Sequence, residues 1–141
     1  QAHVGMLGHA NGLYLDLTAQ ENLKFWGAVV GASSREIALS AQRMGLHERL
    51  LNTPVAKMSA GQRRRTALAI LVIRRASLWL LDEPHAGLDA SGRDEIDNIL
   101  REAASAGATV IVASHELERA GALATRRIEV VGGAIVERGA Q

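Results

Sequence analysis

Two adjacent carboxylates, Asp82 and Glu83, end an apolar run that begins at Leu78. Ligands of α/β proteins bind at the carboxyl ends of parallel strands, so these acids would lie at the edge where chemistry is done. Adjacent acids repel each other unless a cation offsets their charge or a proton is taken up. Asp82 can hold a Mg²⁺ that bridges nucleotide phosphates, and Glu83 can polarise a water. An exposed acidic turn at a strand end is the alternative interpretation.

A second candidate site is the segment Met58-Ser59-Ala60-Gly61-Gln62, which precedes an apolar, helix-like stretch. A serine at a helix start leaves a hydroxyl and backbone N–H groups pointing outward, and the helix dipole adds positive potential, so the segment suits a phosphate. An ordinary N-cap is the alternative. The run Arg63-Arg64-Arg65 that follows is typical of a solvated helix face, and we assign it no catalytic role.

Two further residues are expected on the same edge of the sheet. His115 follows a second apolar run, Ala108–Ala113, and can hydrogen-bond a terminal phosphate or orient an attacking water. Asp89 closes the tight turn Gly87-Leu88-Asp89 after the acidic pair and can also cap the next helix. A purely structural role is the alternative for His115.

The elements that must position these residues alternate between helices and strands. Capping-box patterns at Thr18–Glu21 and Ser33–Glu36 predict two helices, the second of which stops at Gly45. The further predicted elements are strands at Val4–Leu7, Ser77–Leu81 and Ala108–Ala113, helices from Ser59 to about Arg75, from Ala90 to Ser105 and from Glu116, a loop at Thr53–Met58, and a hairpin of Ile128–Val131 with Ala134–Val136. The strand–helix–strand order predicts a parallel α/β sheet with strands buried on both faces.

Composition limits the class of protein. The 141 residues suffice for one domain, and a formal net charge of +1 argues against a protein that coats nucleic acid. The absence of cysteine excludes disulfides and thiolate metal sites. The longest apolar run, Ala67–Ile73, is too short for a transmembrane helix, and no secretory leader is visible. Because the chain opens at Gln1 without a start signal for an element, we expect an N-terminal part, with the first strands of the sheet, to be missing.

Together these motifs resemble the second half of an ABC-type ATPase, the nucleotide-binding subunit of ABC transporters. Met58–Gln62 matches the signature segment, Leu78–Asp82 the Walker B strand and Glu83 the catalytic carboxylate. Ala86–Asp89 is similar to the D-loop and His115 to the switch histidine. The resemblance covers essentially the whole chain. It implies a P-loop NTPase-like parallel sheet with an inserted helical subdomain at about 17–75, and the second half of the catalytic core at 77–141.

The resemblance also implies roles for the residues. The family forms a head-to-tail dimer that sandwiches two ATP molecules, so the signature segment Ser59–Gln62 would bind the γ-phosphate of the nucleotide held mainly by the other subunit. Asp82 would organise Mg²⁺, Glu83 would activate water and His115 would contact the γ-phosphate. Asp89 would link the two sites.

Two residues depart from the family pattern. Ala60 replaces the first glycine of the usual pair, and its methyl group would crowd the phosphate slightly. His9 stands where the family usually has the Q-loop glutamine, and its charge would vary with pH, although a simple loop residue is the alternative. Leu7-Gly8-His9, with Leu17–Leu23 and Phe25-Trp26, resembles the ATP-binding subunit of the cytochrome c maturation haem exporter.

The chain contains no G-x-x-x-x-G-K-[ST] phosphate loop. We therefore expect the full-length protein, at the cytoplasmic face of the membrane with integral membrane transporter subunits, to hydrolyse ATP, and this chain to hydrolyse it poorly. No nucleic-acid partner is expected.

Two alternatives stay open. The first is a soluble ABC-type ATPase acting on DNA or ribosomes, which is disfavoured because no sustained heptads separate His9 from Ser59. The second is a non-catalytic module that lends its signature face to a complete partner, against which the retained Glu83 argues.

Overall fold

The computed structural model describes residues 4–8 and 11–138. Strands β1 (Val4–Leu7), β2 (Leu78–Asp82) and β3 (Thr109–Ala113) form a parallel sheet in the order β1-β2-β3. Strands β4 (Arg127–Val131) and β5 (Ala134–Arg138) form an antiparallel hairpin. The helices are α1 (Ala19–Val30), α2 (Ser34–Arg43), α3 (Glu48–Leu51), α4 (Ala60–Arg74), α5 (Ala90–Ser105) and α6 (Leu117–Leu123). No helix of the described segments is long and apolar enough to cross a membrane.

Three helices begin at capping boxes: the sequence predicts those at Thr18 and Ser33, whereas at Ser59 it predicts only an N-cap. The N-cap side chains of Thr18, Ser33 and Ser59 accept from the backbone N–H three residues later, and the side chain there accepts from the N-cap N–H. Each box satisfies two donors that an isolated helix end leaves unpaired. The positions of α1, α2 and α4 along the chain are therefore decided by residues within one turn of each start.

The prediction of an α/β protein with a parallel sheet is confirmed, and two short elements are additional. Helix α3 and a 3₁₀ turn at Val55–Lys57, inside the predicted loop, have no capping pattern and are too short to show apolar periodicity. Helix α2 ends at Arg43, and Gly45 follows with a φ of 70°, a left-handed conformation that glycine adopts without strain.

Helix α4 lies against one face of the sheet and makes the centre of the core. A Cβ on Gly5 of β1 would lie 2.7 Å from Cδ1 of Leu71, so the helix approaches the strand closely. The residues facing this core, in register across the sheet, are Gly5, Trp79 and Val110 in one row and Leu7, Leu81 and Val112 in the next. On the other face of the sheet, Met6 of β1 (68% exposed) and Ile111 of β3 (54%) are exposed, so within the described residues burial is seen on one face of the sheet.

The loop after β1 is fastened to α1 by a buried amide. The side chain of Asn22 is fully buried, accepts from the backbone N–H of Tyr14 at 2.9 Å and donates to the carbonyls of Tyr14 and Thr18 at 3.0 Å each. A buried amide with satisfied donors and acceptor holds one loop conformation, because each broken bond would leave a polar group unpaired. Asn22 therefore holds the chain from Tyr14 to the start of α1 in one conformation.

Candidate functional site

The carboxyl ends of the three parallel strands bring several predicted site residues to one edge. Asp82 ends β2 beside Ala113 of β3, and His115 follows two residues later. The carboxylate Oε1 of Glu83 accepts from the backbone N–H of His115 at 2.7 Å and lies 2.5 Å from its Nδ1. The predicted proximity of Glu83 and His115 is therefore present in the structure.

Glu83 has a backbone conformation that side chains rarely adopt. Its φ is 47°, in the left-handed region, where a non-glycine residue is strained. The hydrogen bond from the His115 side chain is the largest of the effects that lower the pKa of the Glu83 carboxyl, and the His115 N–H and Ser114 hydroxyl add to it. The carboxylate form, which a general base needs, is favoured. Oε2 has only a 3.4 Å contact with the Ser114 hydroxyl, which leaves it accessible to a water.

Asp82 presents an exposed carboxylate next to Glu83. Among residues 4–8 and 11–138, no group of three or more His, Cys, Asp or Glu side chains is arranged to hold a metal. Mg²⁺ is commonly bound through one or two carboxylates, substrate phosphates and waters rather than by a complete cage of protein ligands. The single accessible carboxylate of Asp82 fits that mode of binding.

The signature-like segment Ser59–Gln62 is partly exposed at the start of α4, since Ser59 and Ala60 are exposed and Gly61 and Gln62 are half-buried. The hydroxyl of Ser59 accepts from the N–H of Gln62 at 3.2 Å, so its own proton remains available for a ligand. The Gln62 side chain is engaged in the cap, where Oε1 accepts from Ser59 N–H at 3.0 Å. Ala60 is exposed, whereas a Cβ on Gly61 would lie 2.9 Å from the carbonyl oxygen of Gly87. Within the described part of the chain, this segment makes no hydrogen bond to Asp82, Glu83 or His115.

Asp89 caps α5, as the sequence predicts, and also contacts α4. Its Oδ1 accepts from the N–H of Gly92 at 2.9 Å and from Nη2 of Arg65 at 2.8 Å. The Gly92 hydrogen bond first, and the Arg65 charge after it, hold the pKa of the Asp89 carboxyl below its ordinary value. The D-loop-like turn is thus joined to the helix that begins at Ser59.

The prediction that Arg63–Arg65 form a solvated face is wrong, and Arg64 departs from it furthest. Arg64 is only 5% exposed; Nη1 donates to the Gly8 carbonyl at 2.9 Å and to Asn11 Oδ1 at 3.0 Å. Its Nη2 donates to the carbonyls of Asp82 at 2.9 Å and Glu83 at 2.5 Å. Burial lowers the pKa of this guanidinium. The signal for burial was the long apolar stretch directly after the arginines, typical of a helix covered on all sides.

His85, which we did not single out from the sequence, forms a second buried polar cluster. It is fully buried, and its Nε2 lies 2.6 Å from Oδ1 of Asp97 on α5. The other carboxylate oxygen of Asp97 accepts from Nη1 of Arg119 on α6 at 2.6 Å. The cluster ties the loop after Glu83 to both helices. The signal in the sequence that could have indicated this buried cluster was Asp97, which lies beside the apolar Ile96 on α5.

His9 lies outside the described residues. The neighbouring described residues, Gly8 and Asn11, both accept hydrogen bonds from Arg64. The role of His9 in place of the Q-loop glutamine stays a prediction.

Known proteins that are similar to the chain are ABC transporter proteins. The sequence model of the family described as ABC transporter matches residues 1–86. The chain is 40% identical over 117 residues to a cytochrome c biogenesis ATP-binding export protein, CcmA 2, of Cupriavidus metallidurans, which covers 82% of this chain and 55% of the relative. It is 38% identical over 109 residues to the protein of the same description from Chelativorans sp., covering 77% of this chain and 54% of the relative.

Solved structures agree with this family. A dimeric ATP-binding cassette in a post-hydrolysis state, bound to ADP and Pi, has a TM-score of 0.86 and 27% identity to the chain. The match covers 99% of this chain and 64% of that cassette. The chain spans a little more than half the length of the curated relatives that it matches.

Proposed function

The chain belongs to the ABC transporter family, and on this premise we propose that it is the signature- and Walker B-bearing part of an ATPase that drives a membrane transporter. The observation that carries the proposal is the Glu83 carboxylate, held in its ionised form by His115 at the carboxyl ends of parallel strands. A positioned, ionised carboxylate can activate the attacking water in phosphoryl transfer, and the adjacent acid can hold Mg²⁺. ATP is the proposed substrate, and Mg²⁺ is the proposed metal.

The roles of the residues follow from their surroundings. Asp82 offers an accessible oxygen to Mg²⁺, which when bound would offset the charge of the phosphates. Oε2 of Glu83 accepts a proton from the attacking water, while Oε1 stays bonded to the backbone N–H of His115. The exposed His115 ring can turn towards a terminal phosphate, since 99% of its side chain is accessible.

We propose that Ser59, Ala60, Gly61 and Gln62 bind the nucleotide of a second copy rather than their own. Ser59 and Ala60 are exposed, and within the described residues the segment makes no hydrogen bond to the Glu83–His115 pair. The Ser59 hydroxyl proton and the first N–H groups of α4 are donors suited to a phosphate. Asp89, bonded to Arg65 of the same helix, would connect the two nucleotide sites of the dimer.

Residues 17–75 are proposed as the helical subdomain and 77–141 as the second half of the catalytic core. Because the relatives from Cupriavidus metallidurans and Chelativorans are described as ATP-binding export proteins of cytochrome c biogenesis, we propose that transport class for this chain, with haem as the substance exported. The proposed partners are integral membrane subunits and a second ATPase subunit, at the cytoplasmic face of the membrane.

The first test is to sequence the DNA that precedes the codon of Gln1. An in-frame G-x-x-x-x-G-K-[ST] supports the ATPase proposal, since that loop supplies the phosphate contacts that the 141 residues lack. A stop codon or a start close before Gln1 contradicts it. The chain would then be a non-catalytic module that lends its signature face to a complete subunit.

The second test uses the protein extended by that upstream sequence. Glu83→Gln should abolish ATP turnover and accumulate an ATP-bound dimer in size-exclusion chromatography, because the amide cannot take the proton from water. The matched control is Glu118→Gln on α6, an exposed glutamate in the same region of the fold. Turnover that is unchanged in Glu83→Gln would remove Glu83 from the mechanism.

A further inference from the structure

We infer that Arg64 is a positioning residue that holds the backbone of Asp82 and Glu83 against helix α4, whose N-cap is Ser59. It also bonds Gly8 and Asn11, which follow β1. The effect of Arg64 on catalysis rests on the proposed ATPase function. Nothing in the resemblance or in the comparisons assigns Arg64 a role.

The guanidinium of Arg64 joins distant segments of the chain. Nη1 donates to the Gly8 carbonyl and to Asn11 Oδ1, both in the chain after β1. Nη2 donates to two consecutive carbonyls, those of Asp82 and Glu83 at the end of β2. A planar fork with fixed donor directions can serve four acceptors in this way, whereas a lysine ammonium cannot.

The guanidinium of Arg64 bonds four acceptors but, in the part of the chain that the structure describes, leaves one of its own donors without a partner. Arg64 Nε is buried and has no hydrogen-bond partner within the described residues. A buried charged group is costly unless it is well hydrogen-bonded, so an unpaired donor on it needs a compensating gain. The gain is the ordering of the four acceptors around Nη1 and Nη2, and two of those belong to the acidic pair.

Glu83 is the residue that most needs such support. Its left-handed φ of 47° persists only where the surroundings hold it. Its N–H donates to the Ala113 carbonyl at 2.8 Å, and its carbonyl accepts from the N–H of Ala86 at 3.1 Å and from Arg64. Among the side chains of the described residues, Arg64 is the one that bonds the Glu83 carbonyl. Without it, the backbone of Glu83 would be held by the sheet, the turn and the contacts of its carboxylate with Ser114 and His115.

Arg64 also connects the two functional parts of one subunit. It lies five residues after Ser59 on α4, about 7.5 Å along the helix axis at 1.5 Å per residue. A phosphate bound at the Ser59 segment would therefore restrain the same rigid helix that holds Glu83. The occupancy of one nucleotide site would in this way influence the position of the general base in the other.

The test compares Arg64→Gln and Arg64→Lys with Arg63→Gln. Arg63 is a matched control because it lies on the same helix and also donates to two carbonyls, those of Val55 and Ala56, away from Glu83. In the 141-residue chain without nucleotide, both Arg64 variants should speed hydrogen exchange of the Ala86 amide by about tenfold or more, since charge-assisted hydrogen bonds are lost. Arg63→Gln should leave that rate within about twofold of the unsubstituted chain.

The outcomes separate this inference from the proposed function. Exchange at Ala86 that does not change in a folded Arg64 variant overturns the inference, whatever the ATPase activity is. If thermal unfolding shows that Arg64→Gln is not folded, the exchange of the Ala86 amide in Arg64→Lys, which keeps the charge, tests the inference.

A second measurement tests the catalytic consequence in the protein extended by its upstream sequence. Arg64→Lys should lower kcat by about tenfold or more while the KM for ATP stays within about twofold, because nucleotide contacts are kept and the base is displaced. Equal changes in kcat for Arg64→Lys and Arg63→Gln would mean a merely structural role and overturn the inference. An unsubstituted extended protein without ATPase activity would instead contradict the proposed function and leave the exchange result standing.

Discussion

The Ser59–Gln62 segment is held by hydrogen bonds between residues three apart, whereas the Glu83–Asp89 loop is held by side chains from distant parts of the chain. Ser59 and Gln62 cap each other at the start of α4. The loop is held by Arg64 of α4, by His115 after β3, and by Asp97 of α5, which bonds the His85 side chain. Both segments carry proposed site residues, but only the second depends on the assembled fold.

This difference indicates how each segment responds to substitution. A local cap loses only its own hydrogen bonds when one partner is removed, and the rest of the helix remains. A buried cluster with partners on several elements leaves unpaired polar groups on all of them. The loop should therefore be the more sensitive of the two.

The largest expected effect comes from breaking the His85 cluster. Asp97→Ala leaves the buried His85 and the partly buried Arg119 without their hydrogen-bond partner and should lower the free energy of unfolding by about 3 kcal/mol, since a buried polar group left unpaired costs its desolvation. Urea denaturation measures this change. The control Asp94→Ala removes an exposed carboxylate 3.4 Å from the same Arg119 and should cost less than about 1 kcal/mol. Equal losses in the two variants would contradict the importance of the buried cluster.

The second effect concerns the point where the two segments meet. Gly61→Ala places a Cβ 2.9 Å from the Gly87 carbonyl oxygen, and since that neighbour is backbone, we expect a net loss of about 1–2 kcal/mol. The control is Gly121→Ala in α6, where a Cβ meets nothing within 4 Å and the gain in helix propensity should stabilise by up to about 1 kcal/mol. Thermal unfolding of both variants should give shifts of opposite sign. Shifts of the same sign would mean that the close approach to Gly87 has no energetic weight.

The third effect isolates the local cap. Ser59→Ala removes the acceptor of the Gln62 N–H and should cost about 1 kcal/mol in denaturant unfolding. Ser33→Ala, which breaks the equivalent box of α2, should cost the same, because both caps are built within one helical turn. Faster hydrogen exchange in the Glu83–Asp89 loop of Ser59→Ala would show that this cap is not local after all.

The smallest effect is a change in titration. The hydrogen bond from His115 lowers the pKa of Glu83 below the ordinary 4.5, so its stabilisation is present above about pH 4.5 and is lost as the pH falls through the native pKa. His115→Ala should move the pKa of Glu83 back towards 4.5, which carbon-13 NMR of the side-chain carboxyl can follow. Glu21, whose pKa is lowered by its own capping box with Thr18, should not change. A pKa of Glu83 that stays low in the variant would exclude His115 as the main cause.

Much of the fold could be predicted because its signals lie close together in sequence. The capping boxes start α1, α2 and α4, and apolar runs mark β2 and β3. The meeting of Glu83 and His115 also followed, because parallel strands bring their carboxyl ends to one edge. The exposure of Met6 and Ile111 on the second face of the sheet did not follow, since an apolar run predicts burial without showing which helices cover which side.

The amino-acid sequence by itself determined where helices and strands begin, which residues cap them, and which acids and histidine reach the edge of the sheet. Only the tertiary structure decided that Arg64 is buried on the carbonyls of Asp82 and Glu83, and that His85 pairs with Asp97. The physical reason is that an arginine or histidine has the same local propensities whether water or a distant carbonyl takes its hydrogen bonds. The acceptors of Arg64 lie 18 and 19 residues away at β2, and 53 and 56 residues away after β1, so folding alone brings them together.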